Sequence, residues 1–383
     1  LAACWSRAAM PEAAEAVLVA LRARHPRAAV EVGGHAQELF TDPQRALAWL
    51  DGLIGPSPKP PAGGGWPMFR GDPSRNQPSS AGSPFLCAEP VAPAASDPLV
   101  QKTVEQLRED NRRQYRIALP RLHPLVVGQS VVLRTATQLV AIDLGGGRVL
   151  WEAPLEDSLR HFLQHAPDDQ KEAQATHFSR GLRRRLWEDT CFGTLSSDGR
   201  LVFGVEDLAF GFRPDYQRMV VMPDGRRRLD PAWQKDYNLL VAYDVQTGKA
   251  RWEVGGPPDM DTMEQAGTYF LGPPLPLGGR LYVVADIRAE TRLLELDART
   301  GRLLWYLTLG ARPQDPRLRR LMFMPFGLPE SITPRSTASP SYADGVLVCR
   351  TSDNHFVGVN LSTRSVQWIY ETPGQEMGVG PFF

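Results

Sequence analysis

From about residue 123 onward, short apolar runs alternate with turn residues. The runs follow Gly-containing turns and are Val131 to Leu133, Leu201 to Val205, Leu281 to Ala285 and Val346 to Cys349. Apolar runs of this length between turn signals predict β-strands. In each unit the sequence predicts three strands, the first preceded by a turn, the second joined to it by a hairpin and the third by a tight turn. A further, innermost strand is predicted just upstream of the unit, such as Leu125 to Val127 in the first one. The pattern therefore predicts a mainly β region built from four-stranded units.

One eleven-residue phrase closes each unit. Its four copies read AIDLGGGRVLW from Ala141, AYDVQTGKARW from Ala242, ELDARTGRLLW from Glu295 and GVNLSTRSVQW from Gly358. They share the template A-x-D-x-x-T-G-x-x-x-W. Internal repetition of this kind predicts a propeller or a solenoid.

The fixed letters of the phrase have structural explanations. An Asp side chain accepts hydrogen bonds from backbone N–H groups two residues on, a Thr hydroxyl supports the same turn, and Gly adopts a left-handed conformation. A Trp on the last strand fills the space between units and offers one N–H donor. We therefore predict structural roles for Asp143, Gly147, Trp151, Asp244, Thr247, Gly248, Trp252, Asp297, Thr300, Gly301, Trp305, Asn360, Thr363 and Trp368.

The phrase and its flanking strands resemble the tryptophan-docking repeat of the pyrroloquinoline-quinone (PQQ) family of β-propellers, over roughly residues 123–373. WPMFRGDPSRN, from Trp66 to Asn76, is similar to the segment that leads into such propellers. The resemblance implies a β-propeller of PQQ-type blades. Since this family usually has seven or eight blades, four units imply an incomplete ring. The last copy departs most, with Gly358, Asn360 and Arg364 in place of Ala, Asp and Gly.

The remaining chain divides by composition. Residues 1–54 predict a helical, tetratricopeptide-like segment. Its first part, LAACWSRAAMPEAAEAVLVALRARHP, resembles one tetratricopeptide repeat, and residues 36–53 predict another short helix. Residues 55–65 form a Pro/Gly linker, and residues 66–122 a lead-in with a charged helix near 99–114. We place the propeller at 123–383, with blades at about 123–155, 193–255, 270–310 and 336–373. Inserts occupy 156–190, 209–238 and 311–335, and the first insert predicts a helix.

Charge and cysteine usage narrow the functional classes. The 383 residues contain 43 Lys and Arg against 43 Asp and Glu, so no basic excess favours nucleic acid. No apolar run is long enough to span a membrane. Arginine clusters at 183–185, 226–228 and 317–320 are expected in solvated loops. Cys4, Cys87, Cys191 and Cys349 form no metal-binding pair; their disulfide state, and lipid attachment at Cys4 within Leu1-Ala2-Ala3-Cys4, stay open.

The PQQ family includes quinoprotein dehydrogenases, which hold PQQ and calcium, and non-catalytic propellers similar to the assembly factor BamB. Resemblance to the dehydrogenases implies a pair of adjacent cysteines, present in many members and absent here, together with acidic and amide calcium ligands and a catalytic Asp. Asp261, Asp286 and Glu290 are the carboxylates available near one blade. His161 and His165, with His177, lack the glutamate of H-E-x-x-H, so a solvated helix face is the expectation.

We therefore predict a non-catalytic, BamB-like scaffold without a cofactor, located in a bacterial cell envelope by resemblance and binding other proteins. Its contact loops would be the three inserts, including the apolar stretch Leu321 to Phe326. Two alternatives stay open. One is a dehydrogenase that uses PQQ and calcium. The other is a carbohydrate-binding propeller, in which Tyr216, Trp233 and Tyr237 would stack on sugars.

Overall fold

We analysed a computed structural model of the chain. It describes residues 2, 11–32, 35–54, 65–77, 97–155, 157–206, 219–221, 227–229, 237–258, 264–288, 290–311, 338–351 and 355–372. Residues 1–10 of the predicted helical segment therefore lie outside the described residues, except for Ala2. The same holds for the 55–65 linker except its last residue, for most of the 209–238 insert and for 312–335.

The N-terminal segment combines helices with a short hairpin. Helix α1 spans Pro11–Arg24, strands β1 (Ala29–Val32) and β2 (His35–Glu38) pair antiparallel, and a 3₁₀ turn at Pro43–Arg45 leads into helix α2 (Ala46–Ile54). The helical segment predicted at this end is therefore present, but the prediction of helix from residue 36 was wrong. The two strands have only four residues each, and segments this short carry too little alternation to indicate a strand in the sequence.

The rest of the described chain is mainly β, as predicted, in four antiparallel sheets that we call blades 1 to 4. Helix α3 (Pro98–Arg113) precedes them. Blade 1 contains β3 (Leu125–Val127), β4 (Ser130–Arg134), β5 (Gln138–Asp143) and β6 (Val149–Pro154). Helices α4 (Ser158–His165), α5 (Asp168–Ala173) and α6 (Ala175–Arg183), with a π-helical turn at Arg184–Glu188, form the following insert.

Blade 2 contains β7 (Ser196–Ser197), β8 (Leu201–Glu206), β11 (Leu239–Asp244) and β12 (Ala250–Gly255), with a small separate hairpin of β9 (Met219–Val221) and β10 (Arg227–Leu229). Blade 3 contains β13 (Tyr269–Phe270), β14 (Leu275–Leu277), β15 (Arg280–Ile287), β16 (Glu290–Asp297) and β17 (Leu303–Ala311). Blade 4 contains β18 (Ser341–Ala343), β19 (Val346–Arg350), β20 (His355–Asn360) and β21 (Ser365–Glu371).

Blade 3 has two short strands where the other blades have one. Both β13 and β14 pair with β15, at opposite ends of it. The residues between them are Leu271 to Pro274, and Pro273 and Pro274 carry no N–H group for a ladder hydrogen bond. The innermost position of this blade is therefore one interrupted strand.

Successive blades pack face to face. The first strands of neighbouring blades lie against each other, β3 beside β7 and β7 beside β14. Between blades 1 and 2, the buried residues include Val132, Leu139 and Ala141 on one side and Val241 and Tyr243 on the other. Similar apolar clusters join blade 2 to blade 3 and blade 3 to blade 4. The hydrophobic core is thus a series of blade junctions rather than one central cluster.

The first ten residues of the lead-in, 66–75, connect three of the blades through backbone hydrogen bonds. We call them the lead-in segment. Trp66 exchanges two hydrogen bonds with Val126 of blade 1, at 2.9 and 3.0 Å, and Ser197 N of blade 2 donates to Pro67 O at 2.8 Å. Tyr342 N of blade 4 donates to Pro73 O at 2.8 Å. Met68, only 3% exposed, enters the core between blades 3 and 4. The WPMFRGDPSRN sequence is therefore part of the propeller.

Each repeated phrase forms a capped turn followed by a bulge. Asp244 Oδ1 accepts from Gln246 N and Thr247 N at 3.0 Å each, and Asn360 Oδ1 accepts from Ser362 N and Thr363 N at 2.9 and 3.2 Å. In all four blades the register then shifts by one residue, so that the Trp lies opposite the first residue of the phrase. This bulge explains why three residues of variable identity separate the Gly from the Trp, since one of them is the extra residue of the bulge.

The Gly of the turn lies under the Trp of the preceding blade. Gly248 and Gly301 have φ angles of 69° and 74°, in the left-handed region. A Cβ atom added to Gly248 would overlap the Trp151 ring, and one added to Gly301 would lie 2.7 Å from Trp252 Cε3. These positions therefore require glycine for two reasons, the backbone conformation and the close approach of the indole.

A pair of glycine variants separates these two reasons. Gly279 has the same φ of 74° as Gly301, but no atom lies within 4 Å of its added Cβ. We expect Gly279→Ala to cost about 1 kcal/mol through backbone strain, and Gly301→Ala to cost about 1–3 kcal/mol more through overpacking. Urea unfolding of both variants measures the difference. Equal losses would show that Trp252 does not constrain the turn.

Candidate interaction surfaces

At the first two junctions, the indole of one blade binds the turn of the next. Trp151 Nε1 donates to Val245 O at 2.8 Å, and Trp252 Nε1 donates to Ala298 O at 3.1 Å. Both acceptors directly follow the capping Asp of the next blade's phrase. Each Trp thus contributes a flat apolar surface and one hydrogen bond to the neighbouring blade.

The third junction replaces glycine by arginine. Arg364 occupies the Gly position with a φ of 53°, its guanidinium lies 5.5 Å from the ring centroid of Trp305, and its Nη2 donates to Glu295 Oε2 at 3.2 Å. Glu295 is itself the first residue of the preceding phrase and lies opposite Trp305 in the sheet. Both departures from the template therefore belong to one interaction, a cation–π contact reinforced by a charged hydrogen bond.

The fourth Trp contacts no further blade among the described residues. The outermost strand of blade 4, β21, is exposed along its whole length. Trp368 is 40% exposed and lies flat over Gly358, and Tyr370, on the same face, is 57% exposed. Ile369, on the opposite face of the strand, is 60% exposed. This strand is the largest run of exposed apolar side chains on the blades as described.

The helical insert packs on α3 and buries charge. Phe178, Leu182 and Leu186 of the insert contact Val100 and Leu107 of α3 in one apolar cluster. Arg185 is 5% exposed, and its Nη1 lies 2.7 Å from Asp157 Oδ2. The prediction that the arginines at 183–185 lie in a solvated loop was therefore wrong, since Arg185 is an internal ion-pair partner. The clusters at 226–228 and 317–320 fall on residues whose side chains are not described.

A second buried arginine connects the insert to blades 1 and 2. Arg134, 1% exposed, donates to Val205 O at 2.7 Å and lies 3.3 Å from Glu206 Oε1, and the guanidinium groups of Arg134 and Arg185 each lie 4.8 Å from the Phe192 ring centroid. The Tyr243 hydroxyl also donates to Glu206. Burial, together with the nearby Glu206, raises the Tyr243 pKa, so this hydroxyl stays a neutral donor. The buried Arg134–Glu206 pair thus fixes the geometry of the junction between blades 1 and 2.

The outer side of α3 forms a shallow charged groove next to exposed apolar residues. The groove has a volume of about 670 Å³ and is lined by Lys102, Glu105, Glu109 and Arg113, among others. Just beyond it, Tyr115, Ile117 and Leu119 are 100%, 64% and 66% exposed. We call these three residues the helix-end patch. Asn111 holds this segment against the helix, since its Nδ2 donates to Ile117 O at 3.3 Å and its O accepts from Arg116 N at 2.8 Å.

The residues proposed for calcium do not converge among those described. Asp286 is buried and accepts from Thr291 Oγ1 at 2.8 Å, whereas Glu290 lies on the hairpin surface, 2.7 Å from Arg292 Nη2. Asp261 lies outside the described residues. Across the described ranges, no three His, Cys, Asp or Glu side chains are close enough to hold a metal ion. Asp286 and Glu290, the two of these residues that the structure describes, therefore do not form a calcium site with each other.

The remaining sequence candidates are dispersed. His161 and His165 stack on each other in α4, with ring centroids 4.5 Å apart. Cys349 is fully buried, and burial raises its pKa to about 12. Cys4, Cys87, Tyr216, Trp233 and Leu321 to Phe326 lie outside the described residues, so lipid attachment at Cys4 and sugar stacking on Tyr216 and Trp233 stay predictions. No helix in the described ranges has both the length and the apolar character needed to cross a bilayer.

Comparison with known families shows what the last blades are similar to. Residues 237–381, which include the last two strands of blade 2 and all of blades 3 and 4, match the sequence profile of the PQQ-repeat family described as outer membrane protein assembly factor BamB. The PQQ-repeat resemblance predicted from the phrase is thereby confirmed. No curated protein matches the chain in sequence.

Two solved structures are similar to the chain at low identity. BamB from Moraxella catarrhalis is 14% identical with a TM-score of 0.31, and the match covers 64% of this chain and 50% of BamB. The quinohemoprotein alcohol dehydrogenase ADHIIG from Pseudomonas putida HK5 is 17% identical with a TM-score of 0.34, covering 65% and 33%. The chain thus spans half or less of these proteins.

Two features of these surfaces escaped the sequence analysis. The Glu295–Arg364 contact was detectable in principle, because successive phrases lose Ala and Gly at positions that meet across a junction. The helix-end patch had a weaker signal, the alternation of Tyr115, Ile117 and Leu119 before Pro120. Such alternation also predicts a half-buried strand, so exposure could not be inferred from it.

The hydrogen bond at a junction is testable with two matched Trp variants. Trp252→Phe keeps an aromatic ring but leaves Ala298 O without its donor, so we expect a loss of about 1 kcal/mol. Trp305→Phe, at the third junction, keeps an aromatic face for Arg364 and removes an N–H that has no acceptor among the described residues, so we expect a smaller loss. Thermal and urea unfolding measure both. A loss as large at residue 305 would contradict the assignment.

The interaction between Arg364 and Glu295 at the third junction can be tested by restoring the glycine of the template at position 364. Arg364→Gly removes backbone strain but leaves Glu295, 4% exposed, without its closer cation, since Arg280 Nε lies 3.6 Å away. We expect a net loss of about 1–2 kcal/mol. Adding Glu295→Ala should recover at least about 1 kcal/mol in a double-mutant cycle. Additive effects in urea unfolding would show that the two residues are not coupled.

Proposed function

We propose that this chain is a non-catalytic PQQ-repeat propeller that binds other proteins in the bacterial cell envelope. The observation that carries the proposal is the match of residues 237–381 to the family described as outer membrane protein assembly factor BamB. The description names an assembly factor rather than an enzyme, and an outer-membrane setting. The proposed envelope location and protein-binding role of this chain rest on that description.

The surface of the protein supports a binding role. The helix-end patch places three large apolar side chains in solvent beside a groove that carries both Lys and Glu side chains. A cluster of exposed apolar residues with a polar rim is typical of a protein-binding site. We therefore assign the partner-binding surface to the outer side of α3 and the helix-end patch.

The partner-binding surface is tested by affinity capture from solubilised envelope fractions. The tagged 383-residue chain is compared with the triple variant Tyr115→Ser, Ile117→Ser and Leu119→Ser by quantitative mass spectrometry. We expect a defined set of envelope proteins to lose at least about tenfold in recovery with the triple variant, because interface anchors carry most of the binding energy. The matched control is Val19→Ser with Leu21→Ser, two exposed apolar residues of α1. Equal capture by all three proteins would contradict this surface.

The enzymatic alternative has its own test. PQQ with calcium, added to the purified chain, is expected to leave its melting temperature unchanged. A ligand at one hundred times its dissociation constant would add about 2.7 kcal/mol of stability and raise the transition by a few degrees. Such a shift would support the dehydrogenase reading instead, and a shift with sugars would support the carbohydrate-binding one.

A further inference from the structure

The helix-end patch begins with a Tyr in a backbone conformation that favours glycine. Helix α3 ends in two hydrogen bonds, from Tyr115 N to Arg112 O at 3.1 Å and from Arg116 N to Asn111 O at 2.8 Å. This pairing is the Schellman motif, in which the residue after the C-cap is left-handed and is usually glycine. Tyr115 holds that position with a φ of 54°. A residue with a Cβ atom is strained in this conformation.

The Tyr115 side chain gains nothing from the fold that would offset this strain. It is fully exposed. Across the described ranges, its hydroxyl has no hydrogen-bond partner and its ring has no aromatic or cationic neighbour. Strained residues persist mainly at functional sites, where the strain belongs to the function. The conformation of Tyr115 therefore indicates a residue that is present for binding rather than for stability.

The segment that carries the patch is positively charged. Residues 111–124 contain four arginines and no Asp or Glu, in a chain whose 43 basic and 43 acidic residues balance. Arg116 and Arg121 are exposed, and neither forms an ion pair with a residue that the structure describes. Burial and then the charge of Arg121 lower the pKa of His123. The Arg121 charge thus acts on its surroundings without being neutralised by a carboxylate.

The neighbouring helices do not cancel this charge. Arg112 and Arg113 share one carboxylate, since Glu109 lies 3.6 and 3.1 Å from their guanidinium nitrogens. On the insert, Arg184 and Glu188 are both exposed and offset each other. Charges across a protein interface are arranged to be complementary. Exposed apolar side chains among unpaired arginines therefore favour a partner that combines acidic and apolar residues.

The acidic side of α3 limits the width of that partner. Glu105, Glu109 and Asp110 line the groove beside the patch. A broad anionic surface, such as a lipid bilayer, would face these carboxylates as well as the arginines. A narrow acidic segment can contact the arginines alone, and each guanidinium can bind a carboxylate through two N–H groups.

We infer that the helix-end patch binds an acidic segment of a partner protein. Tyr115 is the apolar anchor of this contact, and Arg116 and Arg121 pair with the carboxylates of the partner. The inference rests on the proposed protein-binding function and adds the chemistry of the partner to it. Because Tyr115 occupies a glycine position, its replacement by glycine should change stability and binding in opposite directions.

The probes are two labelled synthetic peptides with the same apolar, Gly and Ser residues, one carrying Glu and the other Lys. Fluorescence anisotropy measures their affinity for the purified full chain. We expect the Glu peptide to bind at least about tenfold more tightly than the Lys peptide at low salt, and added salt to weaken it. Equal affinity for the two peptides would overturn the inference.

The Tyr115→Gly variant tests the anchor. We expect its melting temperature to rise by about 1–3 °C, because the strain is relieved, and its affinity for the Glu peptide to fall by about tenfold. The control is Asp344→Gly, at an exposed residue of blade 4 with a φ of 48°. This control should leave the affinity unchanged. Loss of both stability and affinity in Tyr115→Gly would show that Tyr115 is a structural residue.

The arginines are tested by the double variant Arg116→Gln with Arg121→Gln. We expect its affinity for the Glu peptide to fall by about fivefold, since each exposed ion pair contributes little. The control removes two exposed arginines from the turn of blade 3, Arg299→Gln with Arg302→Gln, and should bind as the wild type does. Thermal unfolding verifies that both are folded. An unchanged affinity in the Arg116 and Arg121 variant would contradict the inference.

Two further outcomes separate this inference from its alternatives. Sedimentation with phosphatidylglycerol vesicles that requires Arg116 and Arg121 would assign the patch to a lipid surface and overturn the acidic partner. Envelope proteins whose capture requires Tyr115 but neither arginine would leave the proposed function standing and the acidic partner wrong. Binding of the Glu peptide without any captured envelope protein would support the chemistry of the patch and contradict the proposed function.

Discussion

The structure depends on one contact, the indole of a blade seated on the glycine turn of the blade that follows. It joins an apolar surface, a hydrogen bond from Nε1 and a shape restriction in the same place. The capped turn fixes the position of the carbonyl group that accepts this hydrogen bond, and the bulge in the last strand places the Trp opposite the first residue of the phrase. The five fixed residues of the phrase therefore all contribute to the same contact between blades.

The third junction shows that this contact can also be made by residues of a different chemistry. Arg364 replaces the flat glycine surface by a flat guanidinium, and Glu295 supplies the opposite charge under the same Trp305 ring. A planar cation on an aromatic face preserves the geometry while it changes the electrostatics. Loss of a consensus residue in one repeat is thus explained by a residue in its neighbour.

The parts of the fold that depend on local chemistry could be predicted from the sequence. Turn residues, apolar runs and the spacing from Gly to Trp were sufficient to predict the strands and the class of repeat. Predictions were wrong where the burial of a residue depends on elements distant in sequence. Arg185 looks like a surface residue in a run of arginines, and only the position of Asp157 and Phe192 places it in the interior. The hairpin at Ala29–Glu38 was missed because four-residue strands carry too little periodicity to outweigh the helical segments around them. The exposure of Tyr115 and Trp368 could not be predicted, since it depends on which elements do not pack against these side chains.

The lead-in segment has a consequence for the order in which the protein folds. It is made before every blade, yet Arg75 donates to Pro340 O at a separation of 265 residues, and Pro73 accepts from Tyr342 of the last blade. Contacts between residues so far apart in sequence slow folding, because the entropy of closing the intervening chain is lost before the contact forms. The blades can assemble in order from the ribosome, but the lead-in completes its hydrogen bonds only after the fourth blade has emerged. Folding of the propeller is therefore completed by the segment that was synthesised before any of its blades.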